Sequence, residues 1–316
     1  SYKKALEISP SFIEALYGLG VLYQELGETN EAVNHYQKVI EIKPNLAEVH
    51  NKAGECFEVL GRLKDALLAF QKAVDINPVY SEAYNNLGNT FKATGQLDDA
   101  IKSYKKALDI NPEYPALHNN LGITYKALGN LKDAVKSYLK GLALNPGYID
   151  ILNNLGVAYN EIGEMDEAIK SLKKAIAIKP DYAEAFNNLG AVYNKLGQSE
   201  KAIQSFESAL KINPDFPDPY NNLTVSYRKQ GLFDNVSKSS KKAIELMINV
   251  IATNPNDSET FHNLGLAYFE IDSLEINRGD RVFFIGPSGV GKSTILESLG
   301  LMNNTINTIQ QKENAV

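Results

Sequence analysis

Two sets of residues in this chain have types and spacing suited to chemistry. Residues 286–294 read Gly-Pro-Ser-Gly-Val-Gly-Lys-Ser-Thr. This is the Gly-x-x-x-x-Gly-Lys-Ser pattern, whose backbone amides cradle nucleotide phosphates while the lysine reaches the outer phosphates and the hydroxyl ligates Mg²⁺. The candidate cradle is Gly286, Gly289, Val290, Gly291, Lys292, Ser293 and Thr294, with Ser293 as the single metal-facing group. The run 281–286 is apolar and rich in β-formers. The run 292–302 carries Ile295, Leu296 and Leu299 at helical spacing. A strand, loop and helix are therefore expected there. The second set is asparagines: Asn85–Asn86, Asn119–Asn120, Asn153–Asn154, Asn187–Asn188 and Asn221–Asn222, with Asn51 before them and Asn263 after. A carboxamide holds donor and acceptor in one plane, as a peptide group does. A regular row of them could hold an extended polypeptide with little regard to its side chains. Asn is a mediocre helix former, so helix propensity does not account for the pairs. Copying of one ancestral unit is the alternative account of them.

The spacing shows which elements must carry the asparagines. Pro10, Pro44, Pro78, Pro112, Pro146, Pro180 and Pro214 recur every 34 residues, and Pro255 follows 41 residues after the last. With Ile13 as position 1, position 8 is Gly20, Gly54, Gly88, Gly122, Gly156, Gly190, then Thr224 and Gly265. Position 11 is always aromatic, from Tyr23 to Tyr268, and position 15 is glycine from Gly27 to Gly231. Position 20 is Ala32, Ala66, Ala100, Ala134, Ala168 and Ala202. These positions fall at helical spacing within a unit, and a period of 34 marks a helix–turn–helix repeat. Over residues 1 to about 270 the sequence resembles the tetratricopeptide repeat (TPR) family. The resemblance implies an all-α solenoid, a right-handed superhelix whose first helices line the concave side. It predicts about sixteen short helices. Residues 1–12 would end one unit, 13–257 form seven units, and 258–271 supply the first helix of an eighth. The asparagines occupy positions 5 and 6 of first helices. The seventh unit departs from the pattern, with Val236 at position 20, Ser240 where an aromatic or Leu is usual, and seven extra residues. Seven residues add about two turns, so a longer second helix is expected in phase with the rest.

Two finer resemblances bear on function. The asparagine pairs are similar to those in the repeats of O-GlcNAc transferases, which implies a groove gripping substrate peptides. Residues 273–302 resemble the start of an ABC-type ATPase domain, with the run 273–276 as a first strand and 272–316 as a truncated N-terminal segment of an α/β P-loop fold. No signature motif, second acidic metal-site residue or switch histidine follows. No enzyme activity and no cofactor are therefore expected of this chain. ATP and Mg²⁺ belong to a complete parent domain, and an ABC-type partner domain is implied.

The remaining features narrow the function. Net charge −6 and a pI near 5.4 argue against nucleic acid and against an anionic membrane surface. The longest apolar run, 246–252, is far short of a span, which needs about 20 residues. A cytoplasmic location is expected. Cys56 stands alone, so it reads as a small buried residue. His50 and His118 share packing position 4, and no histidine pairs at i, i+4 as a metal ligand would. Position 9 is mostly apolar and position 2 mostly acidic (Glu14, Glu48, Glu82, Asp150, Glu184, Asp218, Glu259), which opposes a clamp for a C-terminal carboxylate. The expected role is a protein-interaction scaffold holding an extended polypeptide in its groove. The recruitment arm of a larger ABC-type ATPase, or the substrate-recognition arm of a glycosyltransferase, are the alternatives.

Overall fold

The computed structural model describes residues 2–254 and 257–275, which form sixteen helices and, among the described residues, no strand. The chain divides into two compact units, residues 1–162 and 163 onward. In the first unit the first helices are α2 (Ile13–Glu25), α4 (Ala47–Val59), α6 (Ser81–Ala93), α8 (Pro115–Ala127) and α10 (Ile149–Ile162). The second helices are α1 (Tyr2–Ile8), α3 (Thr29–Ile42), α5 (Leu63–Ile76), α7 (Leu97–Ile110) and α9 (Leu131–Leu144). The second unit holds α11 (Met165–Ile178), α12 (Ala183–Lys195), α13 (Ser199–Ile212), α14 (Pro217–Lys229), α15 (Phe233–Thr253) and α16 (Ser258–Glu275).

Each first helix packs on its own second helix through a small-against-large contact. At position 8 of α6 a Cβ on Gly88 would lie 2.6 Å from the Tyr104 ring of α7, so only glycine lets that buried ring close on the backbone. The same pairing recurs as Gly20 with Tyr36, Gly54 with Phe70, Gly122 with Tyr138 and Gly190 with Phe206. Unit seven replaces both partners. Thr224 takes the glycine's place, Ser240 the aromatic's, and their hydroxyls meet at 3.2 Å in the core. The small and large residues have become two medium ones, with a hydrogen bond satisfying both buried hydroxyls. This resolves the departure at Ser240.

The turns follow from position 15. Gly95 has φ +77°, and the amides of Gly95 and Gln96 bond back to the carbonyls of Lys92 (3.0 Å) and Phe91 (2.8 Å). This glycine-ended stop satisfies the helix's orphan carbonyls. The alanines of position 20, from Ala32 to Ala202, are fully buried in the second helices. Helix α15 has 21 residues against 14 in α13, the seven-residue extension read from the proline spacing. Helix α16 corrects one expectation. It runs through Glu275 rather than stopping near 270, so Ser273–Glu275 are helical and do not begin a strand. The reason lies at position 15, which is Asp272 in this unit. The glycine that ends every earlier first helix from Gly27 to Gly231 is missing. The strand 281–286, the phosphate-cradle residues 286–294 and the helix 292–302 lie outside the described residues.

Candidate peptide-binding face of the first helices

Within each unit, consecutive first helices touch: α4 with α6, α6 with α8 and α8 with α10 in the first, α12 with α14 and α14 with α16 in the second. Among the described residues, consecutive second helices make no comparable approach. The first helices therefore lie on the inner side of each stack, and the asparagines lie where they meet.

The two asparagines of each pair have different jobs. The position-6 amide donates across to the position-5 oxygen of the preceding repeat. Asn86 Nδ2 reaches Asn51 Oδ1 at 3.2 Å, Asn120 reaches Asn85 at 3.1 Å, and Asn154 reaches Asn119 at 3.0 Å. In the second unit Asn222 reaches Asn187 at 2.9 Å. Position 5 is the more enclosed member: Asn51, Asn153 and Asn187 are buried. Position 6 is half-buried at Asn86, Asn120, Asn154, Asn188 and Asn222. Asn221 donates to the backbone carbonyl of Asn263 at 3.3 Å, which extends the row onto α16. The row expected to meet a ligand is thus also a set of inter-repeat bonds. Its truncation should therefore act on stability as well as on binding, unlike that of a purely solvent-facing ladder.

Capacity remains for a ligand. Asn86 Oδ1 accepts from Asn85 at 3.4 Å. The side-chain oxygens of Asn120, Asn154 and Asn222 accept nothing among the described residues, while their nitrogens are anchored. Each is an acceptor on a half-buried side chain held in a fixed direction; Asn120 and Asn154 stand one repeat apart in the first unit, and Asn222 lies in the second.

Asn89, at position 9, belongs to the same network although the repeat spacing does not mark it. Its oxygen accepts from the Tyr104 hydroxyl at 2.8 Å and from Asn120 at 3.3 Å, tying the inner row to the core aromatic of α7. The signal was an amide at a mostly apolar position, which Glu55 also breaks. Unit two departs at position 6, where Lys52 replaces Asn and pairs with Glu55 at 2.8 Å. Glu55 also accepts from Gln24 at 3.0 Å, and the Tyr17 hydroxyl donates to Glu48 at 2.5 Å, both across α2 and α4. Burial raises the Glu58 carboxyl above its ordinary range, offset in part by the Thr90 hydroxyl at 2.5 Å. Burial lowers the Lys92 ammonium. Among the described residues no group of His, Cys, Asp and Glu has a metal-holding arrangement, and no helix is long and apolar enough to cross a membrane.

Comparison with known proteins names this architecture. A model described as "TPR repeat" matches residues 88–129, 124–163 and 158–197, and two models described as "Tetratricopeptide repeat" match 13–46 and 183–216, and 69–102. The chain belongs to the tetratricopeptide repeat family. Among solved structures, a TPR protein from Parabacteroides merdae ATCC 43184 aligns with TM-score 0.67 and 17% identity, over 81% of this chain and 98% of its own. The APC/C hetero-tetramer Cut9–Hcn1 gives TM-score 0.59 and 22% identity, over 84% of this chain and 51% of its own. YrrB, described as a TPR protein with an unusual peptide-binding site, gives TM-score 0.50 and 24% identity, over 58% of this chain and 95% of its own. At these identities the likeness is one of fold. No curated protein sequence matches the chain.

Proposed function

We propose that this TPR chain is a protein-interaction scaffold that holds an extended polypeptide along the inner face of its first helices. One observation carries the reading. The position-6 asparagines present half-exposed amides whose nitrogens are fixed by the preceding repeat and whose oxygens at Asn120, Asn154 and Asn222 accept nothing among the described residues. A peptide N–H finds a pre-aimed acceptor there, so little ordering entropy opposes the bond. Asn85, Asn119 and Asn153 act behind them as supports in the first unit, and Asn187 and Asn221 in the second, where Asn188 and Asn263 belong to the same row as Asn222. The peptide-binding site reported for YrrB agrees with such a use of the fold. The similarity to O-GlcNAc transferase repeats rests on the asparagine pattern and belongs to the same proposal.

The test is a selection of extended peptides from a random library on the full chain, followed by photo-crosslinking from position 123, on the inner face of α8. Crosslinks to peptide that are lost in Asn120→Ala/Asn154→Ala support the reading. Peptides captured only through the second helices would refute it. A second reading rests on the sequence of residues 286–294 alone: the array recruits partners for a parent ABC-type ATPase, with Lys292 and Ser293 in their motif roles. A cytoplasmic setting suits both readings.

A further inference from the structure

Because first helices touch and second helices diverge, clefts open between second helices on the opposite side of the stack. The cleft between α7 and α9 has a volume of about 820 Å³. Its floor is the face of α8 that carries His118, Leu121 and Tyr125. Lys105 stands on the α7 wall, and Lys136 and Lys140 on the α9 wall, one helical turn apart and exposed. Among the described residues no carboxylate forms an ion pair with these three ammonium groups. Lys105 lies over the Tyr125 ring at 5.8 Å. Of the two acids in the cleft, Asp109 and Asp133, the latter accepts from Asn130 at 2.8 Å.

Beneath the lysines lies a second, independent feature. His118 is 9% exposed, and its Nδ1 has no hydrogen-bond partner. The other ring nitrogen is engaged by the Pro112 carbonyl, as Nε2 of His50 is by Pro44 in the equivalent place. Burial and the charge of Lys140 hold this imidazole below its ordinary range. It is therefore neutral at pH 7, with a lone pair on Nδ1.

The repeat pattern does not supply this arrangement. The corresponding positions between α5 and α7 are Gln71, Lys102 and Lys106, with Lys102 tied to Asp99 at 2.8 Å and Gln71 to Asp75 at 2.8 Å. Between α3 and α5 they are Gln37, Leu68 and Lys72, and between α11 and α13 they are Lys173, Gln204 and Ser208, over Phe186. Only the α7–α9 cleft among these gathers three unpaired cations above a histidine with a vacant nitrogen.

We propose that the α7–α9 cleft binds a small phosphate monoester carried on an apolar body. Three ammonium groups on two walls suit a multiply charged, three-oxygen anion better than a single carboxylate, and lysine is a recognised phosphate binder. Leu121 and Tyr125 form a floor on which an aryl or alkyl group lies. Burial is the larger cause of the lowered His118 proton affinity and the Lys140 charge the smaller; an anion seated beside Lys140 offsets the second, so binding raises the proton affinity of Nδ1. The charged groups lining the cleft over that imidazole are Lys105 and Asp109 from α7 and Asp133, Lys136 and Lys140 from α9; the cleft-lining part of α8 adds none.

Phenyl phosphate titrated into the full chain tests this, read by calorimetry and by the His118 ring resonance. The site predicts saturable binding, about fivefold or more tighter than inorganic phosphate, and a shift of His118 toward the imidazolium signal. Lys136→Ala/Lys140→Ala should weaken it about tenfold or more, with an unchanged melting temperature, while Lys102→Ala/Lys106→Ala in the neighbouring cleft leaves it intact. Lys140→Gln serves as a milder variant should the double variant melt early. A phosphotyrosine peptide binding more tightly than phenyl phosphate would assign the ester to a protein and overturn the small-ligand assignment. Equal weakening in both double variants, or no saturation at about 10 mM, would reduce the cleft to ordinary surface charge.

Discussion

The hydrogen bond between Asn222 and Asn187 gives the sharpest test of the inner row. Its length is 2.9 Å, its acceptor is 8% exposed, and its donor side chain is half-buried. A hydrogen bond of this kind contributes about 0.5–1.5 kcal/mol net. Alanine at the same helical position returns up to about 0.7 kcal/mol of propensity. The two effects are of one size, so Asn222→Ala should shift stability by no more than about 1 kcal/mol. Asn187→Ala also strips a buried amide from the helix contact and should cost more. The pairwise coupling from the four-protein cycle should be about 0.5–1.5 kcal/mol, because propensity cancels in it. Urea unfolding followed by circular dichroism supplies the numbers, since the chain has no tryptophan. Binding of a library-selected peptide, read by anisotropy, should show the opposite order. Asn222→Ala removes the free acceptor and should weaken binding about 2- to 13-fold, with Asn187→Ala weakening it less. A coupling under about 0.3 kcal/mol would show that the bond does not form. Unchanged affinity in Asn222→Ala, for a peptide crosslinked to α14, would leave the row a structural spine without a grip.

Four further outcomes follow from the same contacts. Gly88→Ala should destabilise the chain by about 1–3 kcal/mol through overpacking, because the new Cβ would lie 2.6 Å from the Tyr104 ring; a change within error in urea midpoint would contradict the close approach. Ser240→Tyr alone should be destabilising against Thr224, and adding Thr224→Gly should recover much of the loss; additive effects would mean that the two sites do not share one volume. Glu58 has a folded-state pKa raised mainly by burial. Its contribution is therefore fully present below the ordinary carboxylate range and lost as pH rises through its folded value, so Glu58→Gln should raise the urea midpoint at pH 7 and not at pH 4, and the reverse order would refute the assignment. Calorimetric titration of the chain with Mg-ATP should give at most millimolar affinity, about 4 kcal/mol, and a micromolar constant abolished by Lys292→Ala would show that the residues after 272 form a working cradle.

Much of the fold was legible because the repeat states each constraint several times. One glycine at position 8 is ambiguous. Five of them, each with a ring sixteen residues on, identify a helix contact. The stop at position 15 was equally plain, and its absence at Asp272 explains the one boundary that moved. Unit seven was legible only as a departure. Nothing in Thr224 or Ser240 read singly says that they face each other, because a compensating swap is a property of the pair. The asparagines were legible as a row but not as a circuit. Their bonds run between positions 35 apart in sequence, from position 6 of one repeat to position 5 of the one before. That diagonal depends on how far neighbouring first helices shift along their axes, which composition and period do not fix. Asn89 was visible yet given no weight, for the same reason: its partners Tyr104 and Asn120 come from other helices.

The diagonal also bears on why an amide should be kept at both positions. A side chain that only gripped a ligand would be free to rotate before binding, and each immobilised rotamer would cost about 0.5–1.5 kcal/mol, as much as the bond it makes. A side chain that only joined repeats would have no reason to leave its oxygen at the surface. In Asn120, Asn154 and Asn222 the nitrogen is spent on the neighbouring repeat, and among the described residues the oxygen is not. The inter-repeat bond therefore bears the rotamer cost during folding and leaves an acceptor already aimed. Duplication explains how the pair was copied. It does not explain why unit two, which lacks the second Asn, fills the place with Lys52 and then neutralises it with Glu55 at 2.8 Å. That substitution replaces the pre-aimed carbonyl with an internal ion pair. Asn86 Oδ1 on α6 already accepts from Asn85, so the grip should begin at Asn120 on α8 rather than at α4, and peptide binding should tolerate Lys52→Ala while Asn120→Ala weakens it. Equal losses from the two variants would place the ligand across α4 as well and would refute the distinction drawn between them.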